Sequence, residues 1–315
     1  MSQTLVQDVQ DAQGLAAARE AVVMRKPIRW QVYLYILPVM LFMLTFVYYP
    51  ITYTVGVSTL DWNGIGAART PIGLQNYESA LVDPIATRAL GNQLRFGLIT
   101  VAFGMAIGLT MAILLKAQVR LKNLYKLLFF FPVVISATVT SYIFRRIYDG
   151  NAGELNALLN ALGLSSLTNA WLADPTLALY SLMIAALWQG TGFGFMLYYA
   201  ALTQIDDEIY EAARIDGAGL FQIIRFITLP LLRNTHFTLV ILSVISVLKT
   251  FDLVWLITQG NPAHTTEFMS TYIFKKGILE FKAGYASSLA IVLLIIAFVL
   301  TVIQLRTYYQ NQRGV

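Results

Sequence analysis

Six long apolar runs govern what this 315-residue chain can become. A helix rises about 1.5 Å per residue, so roughly 20 apolar residues cross the hydrocarbon core of a bilayer. The runs Tyr33 to Leu60, Phe96 to Leu115, Leu127 to Phe144, Pro175 to Ile205 and Tyr285 to Leu305 carry no charge. Phe237 to Thr258 is interrupted only by Lys249 and Asp252. The repeated alternation over about ten residues that marks a membrane barrel is missing. Composition agrees: 12% of residues are charged, against about 25% in a soluble domain. That excludes an ordinary cytosolic enzyme and a disordered chain. The first run starts too far into the chain, and is too long, for a cleaved signal peptide. An all-α membrane protein with six transmembrane helices is expected.

Lys and Arg concentrate in cytoplasmic loops. With the N-terminus inside, the inner segments hold Arg19, Arg25, Lys26, Arg29, Lys116, Arg120, Lys122, Lys126, Arg214, Arg225, Arg233, Arg306 and Arg313. The outer segments hold Arg69, Arg88, Arg95, Arg145, Arg146, Lys275, Lys276 and Lys282. The inner excess favours both termini inside, and it places the net charge of +5 by a membrane rule rather than as a nucleic-acid surface. There is no cysteine, so thiolate catalysis and cysteine metal sites are excluded. His236 and His264 are remote from each other and form no ligand motif, and no catalytic residue or metal ligand is assigned.

Residues 1–30 read as a polar cytosolic tail, in which Gln10 to Met24 suits a short amphipathic helix; a solvated tail is the alternative. Residues 31–315 form the transmembrane domain. Two outer loops, 61–92 and 148–177, are large enough to dock a soluble partner or to plug the outer mouth. The second carries an expected helix from Glu154 to Leu162, ended by Gly163. Tyr48, Tyr49, Trp62, Trp171 and Trp255 suit interfacial aromatic belts. Pro38 and Pro132 lie inside spans, where they mark kinks or are simply tolerated.

The inner loop of about 203–233 is the most informative. Asp206 to Ile215 suits a short helix, with Asp206, Asp207 and Glu208 where the helix dipole favours anions. Ala212 and Ala213 follow Glu211, so one face can approach another protein closely. Gly217 and Gly219 turn the chain, and a second helix runs from Leu220 to meet Pro230. Glu211, Ala212, Ala213, Gly217, Ile227, Leu229 and Pro230 together match, at every spacing, the signature of permease subunits of binding-protein-dependent ABC importers. Gly73-Leu74-Gln75-Asn76-Tyr77, Trp171 to Pro175 and Gly284 to Ala290 resemble elements of the carbohydrate permeases of the maltose and glycerol-3-phosphate type. Thr258-Gln259-Gly260-Asn261-Pro262 is similar to another, with Asn261 where that family usually has a second glycine.

The resemblance implies the type I ABC importer permease fold in a bacterial or archaeal inner membrane, importing a sugar or related polyol. It implies four partners besides lipid: a second permease, two ATPase subunits and an extracytoplasmic solute-binding protein. ATP and Mg would be held by the ATPases; the chain lacks a Gly-x-x-x-x-Gly-Lys-Ser/Thr phosphate loop. Glu211, Ala212, Ala213, Asp216 and Gly217 would form the ATPase-coupling segment, with Asp216 either capping the second helix or facing the partner. A side chain at Gly217 is expected to obstruct the turn. Sugar-contacting positions carried over from the family fall on Gln189, Gly190, Phe193, Ser243, Ser246, Val247 and Thr250. Intramembrane charges usually face a cavity or a partner. The i,i+3 spacing of Lys249 and Asp252 puts them on one helical face, as a self-satisfied ion pair or as part of the substrate path. The alternatives are an ion-coupled secondary transporter, which would leave the inner-loop signature unexplained, and the same fold carrying a non-carbohydrate solute. An intramembrane enzyme would need a converging catalytic set that the chain lacks.

Overall fold

The computed structural model describes residues 30–117 and 119–313. The expected tail helix and Arg19, Arg25, Lys26 and Arg29 lie outside the described residues. The chain divides into two units, Met1–Tyr53 and Thr54–Val315. The first contains most of α1 (Tyr33–Ser58), whose side chains from Tyr33 to Tyr53 are exposed throughout. A π-helical turn at Leu44–Tyr48 leads into Pro50. The widened turn relieves the clash between a proline ring and the carbonyl four residues earlier.

In the second unit, a two-stranded antiparallel ribbon, β1 (Leu60–Asp61) with β2 (Thr70–Pro71), is followed by α2 (Gln75–Val82). Next come α3 (Pro84–Lys116), α4 (Lys122–Val134), α5 (Ala137–Ile147), α6 (Glu154–Ala161) and α7 (Ala178–Leu202). The chain continues through α8 (Asp207–Ile215), α9 (Leu220–Leu231) and α10 (Arg233–Lys249). It ends with α11 (Asp252–Ile257), α12 (Met269–Phe274) and α13 (Ala283–Arg313). Helices α1, α3 and α13 are each long and apolar enough to cross a bilayer. The pairs α4–α5 and α9–α10 qualify only when taken together, and bend by 96° and 67°. Counting each bent pair as one span gives five among the described residues; α7, the run expected as the fourth span, is not one of them.

Helix α7 is the axis of the core. Ala178, Leu182, Ala185 and Phe195 on it are fully buried. Tyr180, Ile184 and Trp188 leave one side of α7 exposed, while its packed side accommodates Thr191, Gly192 and Gly194. Two glycines set how closely its neighbours approach. A side chain at Gly192 would collide with the Phe129 carbonyl on α4, and a Cβ at Gly108 of α3 would lie 2.9 Å from the Phe195 amide nitrogen. Small residues of this kind let membrane helices pack backbone to backbone. Phe129 and Phe195 then meet edge to face, with ring centroids 5.3 Å apart.

Three departures from the expected spans have physical causes. The second span begins at Pro84 rather than Phe96, because Asp83 caps α3 with Oδ1 accepting from the Ile85 and Ala86 amides. The third breaks at Ile135, where Ser136 accepts from the Val139 amide and starts α5 afresh. The fifth is not one helix. It stops at Lys249 and restarts at Asp252, so i,i+3 spacing does not place these two on a shared helical face. No ion pair joins them among the described residues. Both are exposed.

At the other end of Asp83, its Oδ2 accepts hydrogen bonds of 2.6 Å from both the Tyr272 and Tyr285 hydroxyls. Burial pushes this carboxyl up, but the two phenols and two amides together hold it below its usual value. A depressed folded-state pKa contributes stability above the unfolded value of about 3.9, and that stability is lost as pH falls further. The melting-point advantage of the native chain over Asp83→Asn should therefore be constant from pH 7 to 5 and shrink below about pH 4. Melting curves in detergent that stay parallel through pH 3 would contradict the assignment.

Candidate functional site

A cavity of about 430 Å³ opens between α3, α7 and α10, with Val133 of α4 and Leu253 of α11 closing its sides. Gln189, Gly190 and Phe193 of α7 line it, as do Ser243, Ser246 and Val247 of α10 and Thr250 just beyond that helix. These are the seven positions at which family resemblance places sugar contacts. Lys249 and Asp252 are not among the lining residues. On α10 the lining positions Leu239, Leu242, Ser243, Ser246 and Val247 recur at intervals of three and four, the signature of one helical face.

The broken helices shape this wall. Where α10 stops, the Val247 carbonyl accepts from the Thr250 amide at 3.2 Å in place of a full helical turn. The buried Gln93 of α3 adds a second donor there, its Nε2 lying 3.0 Å from the Val247 carbonyl and 3.3 Å from that of Leu248, while its Oε1 accepts from the Met269 amide. The Ser270 hydroxyl donates to the Thr250 carbonyl at 2.5 Å. Where α4 stops, Gln189 Nε2 donates to the Ile135 carbonyl at 2.9 Å. Gln189 thus joins α7 to the bend of the third span and keeps its amide oxygen as an acceptor. Gly190 has open space where a side chain would stand. Phe193 is 44% exposed and Phe96 is buried. The lining therefore offers aromatic faces, hydroxyls and an amide, and no charged side chain.

Behind the wall, the loop after α11 wraps a buried carboxylate that the sequence reading did not single out. Glu267 is fully buried; it accepts from Lys275 Nζ at 2.6 Å and Thr271 Oγ1 at 2.7 Å, and His264 Nδ1 lies at 2.9 Å. Gly260, at φ +82°, leaves no room for a side chain beside it. Asn261, by contrast, does not occupy the left-handed region, so its backbone does not require a glycine. Asn92 of α3 donates to the carbonyls of His264 and Glu267, tying this loop to the cavity wall.

At the opposite end of α7 lies the short helix α8. Its apolar side buries Tyr210 and Ala213 against Ile223, while Glu208, Glu211, Ala212 and Ile215 face outward. No hydrogen bond or ion pair engages Glu211 among the described residues. Asp216 is exposed and ends α8; α9 is instead capped by Gln222, whose Oε1 accepts from the Gly219 amide at 2.7 Å. The capping role considered for Asp216 is thereby corrected. Gly217 has φ +83° and nothing within 4 Å of its would-be side chain. Its requirement is the left-handed backbone, not obstruction of the turn as expected from the sequence. Ile215, one turn after Glu211 on α8, and Leu220 and Phe221 at the start of α9 are each more than 70% exposed.

Among the described residues, no group of three or more His, Asp or Glu side chains is arranged to hold a metal.

The family profile described as "Binding-protein-dependent transport system inner membrane component" matches residues 104–312. A probable ABC transporter permease protein of Bacillus subtilis, YurN, is 36% identical over 88% of this chain and 95% of its own length. The diacetylchitobiose uptake system permease protein NgcF of Streptomyces coelicolor is 32% identical over 76% of this chain and 71% of its own length. A crystal structure of a bacterial ABC transporter involved in the import of the acidic polysaccharide alginate shares the fold. Its TM-score is 0.78 at 22% identity, covering 89% of this chain and 96% of the other.

Proposed function

We propose a cargo and a working cycle on one premise: this chain belongs to the family of inner-membrane components of binding-protein-dependent transport systems, the permease subunits of ABC importers. The cargo is a sugar or related polyol. It crosses between this chain and a second permease, with the cavity between α3, α7 and α10 forming this chain's share of the path. Two ATPase subunits lie beneath α8 and bind ATP and Mg. A solute-binding protein delivers cargo from outside. Both termini lie in the cytoplasm, and this chain performs no catalysis of its own.

The observation that carries the sugar reading is the chemistry of the cavity lining. A sugar presents a C–H face that stacks on an aromatic ring, and hydroxyls that need both donors and acceptors. Phe193 supplies the ring. Gln189, Ser243, Ser246 and Thr250 supply the polar groups, without the fixed charge that would suit an ion. A relative supports the reading: NgcF belongs to a diacetylchitobiose uptake system.

In the working cycle, ATP closes the ATPase pair and shifts α8. Helix α8 follows α7, which lines the cavity, after only four residues, so the two are close neighbours along the chain. The test uses the assembled transporter in proteoliposomes, with ATP inside and a panel of radiolabelled sugars, polyols and amino acids outside. Uptake of a carbohydrate is expected. Phe193→Ala should raise its KM about tenfold, equivalent to ~1.4 kcal/mol of lost stacking. Uptake confined to amino acids, or a KM untouched by Phe193→Ala, would remove the sugar reading.

A further inference from the structure

Helix α3 touches both ends of the machinery. Near its outer half, Phe96, Thr100 and Gly104 line the cavity. Its last residue is Lys116, at the end of a 33-residue helix that spans about 50 Å at 1.5 Å per residue. There the Lys116 ammonium meets α8 and its approach in three ways. Nζ lies 4.2 Å from the centroid of the Tyr210 ring, 3.2 Å from Asp207 Oδ1 and 3.4 Å from the Ile205 carbonyl. The lysine side chain is 23% exposed and Asp207 is 81% exposed. The carboxylate is therefore the solvated, weaker arm, and the ring and carbonyl do more of the holding. Tyr210 itself is buried, and its hydroxyl has no partner among the described residues. Its ring, not its hydroxyl, is what the lysine uses.

Helix α8 would otherwise be held to the membrane part mainly through the chain leaving α7 and the small apolar cluster of Tyr210, Ala213 and Ile223. A short helix held only by the turns at its two ends, 203–206 and 216–219, can still pivot between them. A further attachment, from a different helix, removes that freedom. We propose that Lys116 is a positioning residue for energy coupling: it pins α8 to the end of α3, so that movement of α8 is passed to the cavity wall instead of being lost as rotation of α8. The proposal rests on the permease reading above and adds to it a named joint.

The assembled transporter, reconstituted with its ATPases and binding protein, tests it through the number of ATP molecules hydrolysed per solute imported. Lys116→Met keeps the length and apolar stem and removes the charge. It should raise that ratio about fivefold, the factor that corresponds to ~1 kcal/mol, with the yield of assembled complex unchanged. Lys116→Arg, which retains charge and stacking, should restore the native ratio. Tyr210→Phe should leave it native, whereas Tyr210→Leu should raise it as Lys116→Met does. A purely structural lysine would lower uptake and hydrolysis together, in proportion to assembled complex, and leave the ratio fixed; that result overturns the proposal. Should Lys116→Met fail to assemble, Tyr210→Leu with an unchanged ratio overturns it equally. Failure of the permease reading looks different: the native complex itself would show no link between ATP hydrolysis and uptake.

Discussion

Replacing Glu211 with lysine should reduce ATP-driven uptake at least about 100-fold, while the chain folds and melts as the native protein does. The two halves of that expectation have separate grounds. Glu211 is exposed on α8 and engages no described residue, so the substitution removes nothing from the fold. Surface changes of that kind usually stay within about 0.5 kcal/mol. In an interface, however, a reversed charge meets the groups that had faced a carboxylate. Truncating or mismatching a buried charge pair costs about 2–5 kcal/mol, and about 2.7 kcal/mol already gives 100-fold. Uptake and stimulation of the ATPase by the binding protein are the readouts. Native transport by Glu211→Lys would show that this side of α8 receives no partner.

The second large effect falls on stability. Glu267→Ala should destabilise the fold by about 3–5 kcal/mol, the usual cost of deleting one member of a buried ion pair. The carboxylate is fully buried, and Lys275 donates to it at 2.6 Å. Without it, the lysine, which is itself 19% exposed, loses its counter-charge, and the Thr271 hydroxyl loses its 2.7 Å acceptor. The loop from Thr258 to Phe268 is closely fitted to that side chain at Gly260, so the loss extends to the wall of the cavity through Asn92. Glu267→Gln keeps an acceptor and the shape, and should fall between alanine and native. Thermal melts in detergent decide it: an alanine variant within about 1 kcal/mol of native would mean that the pair is not what holds the loop.

Why some of this was legible beforehand and some was not follows from the range of each interaction. Apolar runs and the Glu211-to-Pro230 spacing are local patterns, and the helices and the α8–α9 turn follow them. The end of α6 at Gly163, with φ +75°, is equally local. The break of the fifth span is different. Its sequence, Lys249-Thr250-Phe251-Asp252, contains neither Gly nor Pro. The carbonyls at its end, Val247 and Leu248, are bridged by Gln93, more than 150 residues away in the chain. No window along the sequence contains both partners. Glu267 was hidden for the same reason: a glutamate in a polar loop reads as solvated until Lys275 and Gly260 fold around it. Gly190 and Gly192 show a further limit. Two residues apart on α7, one faces open space in the cavity and the other allows α4 to approach. Composition cannot tell these roles apart, because the neighbour that decides belongs to another helix.

A permease subunit of an ABC importer moves solute by force delivered from ATPase subunits rather than by an ion gradient. Uptake by the purified, reconstituted transporter, measured with and without enclosed ATP and in the presence of ionophores that collapse proton and sodium gradients, tests it most directly. Uptake that requires ATP and survives the ionophores is the predicted result. Uptake that proceeds without ATP and stops with the ionophores would contradict it.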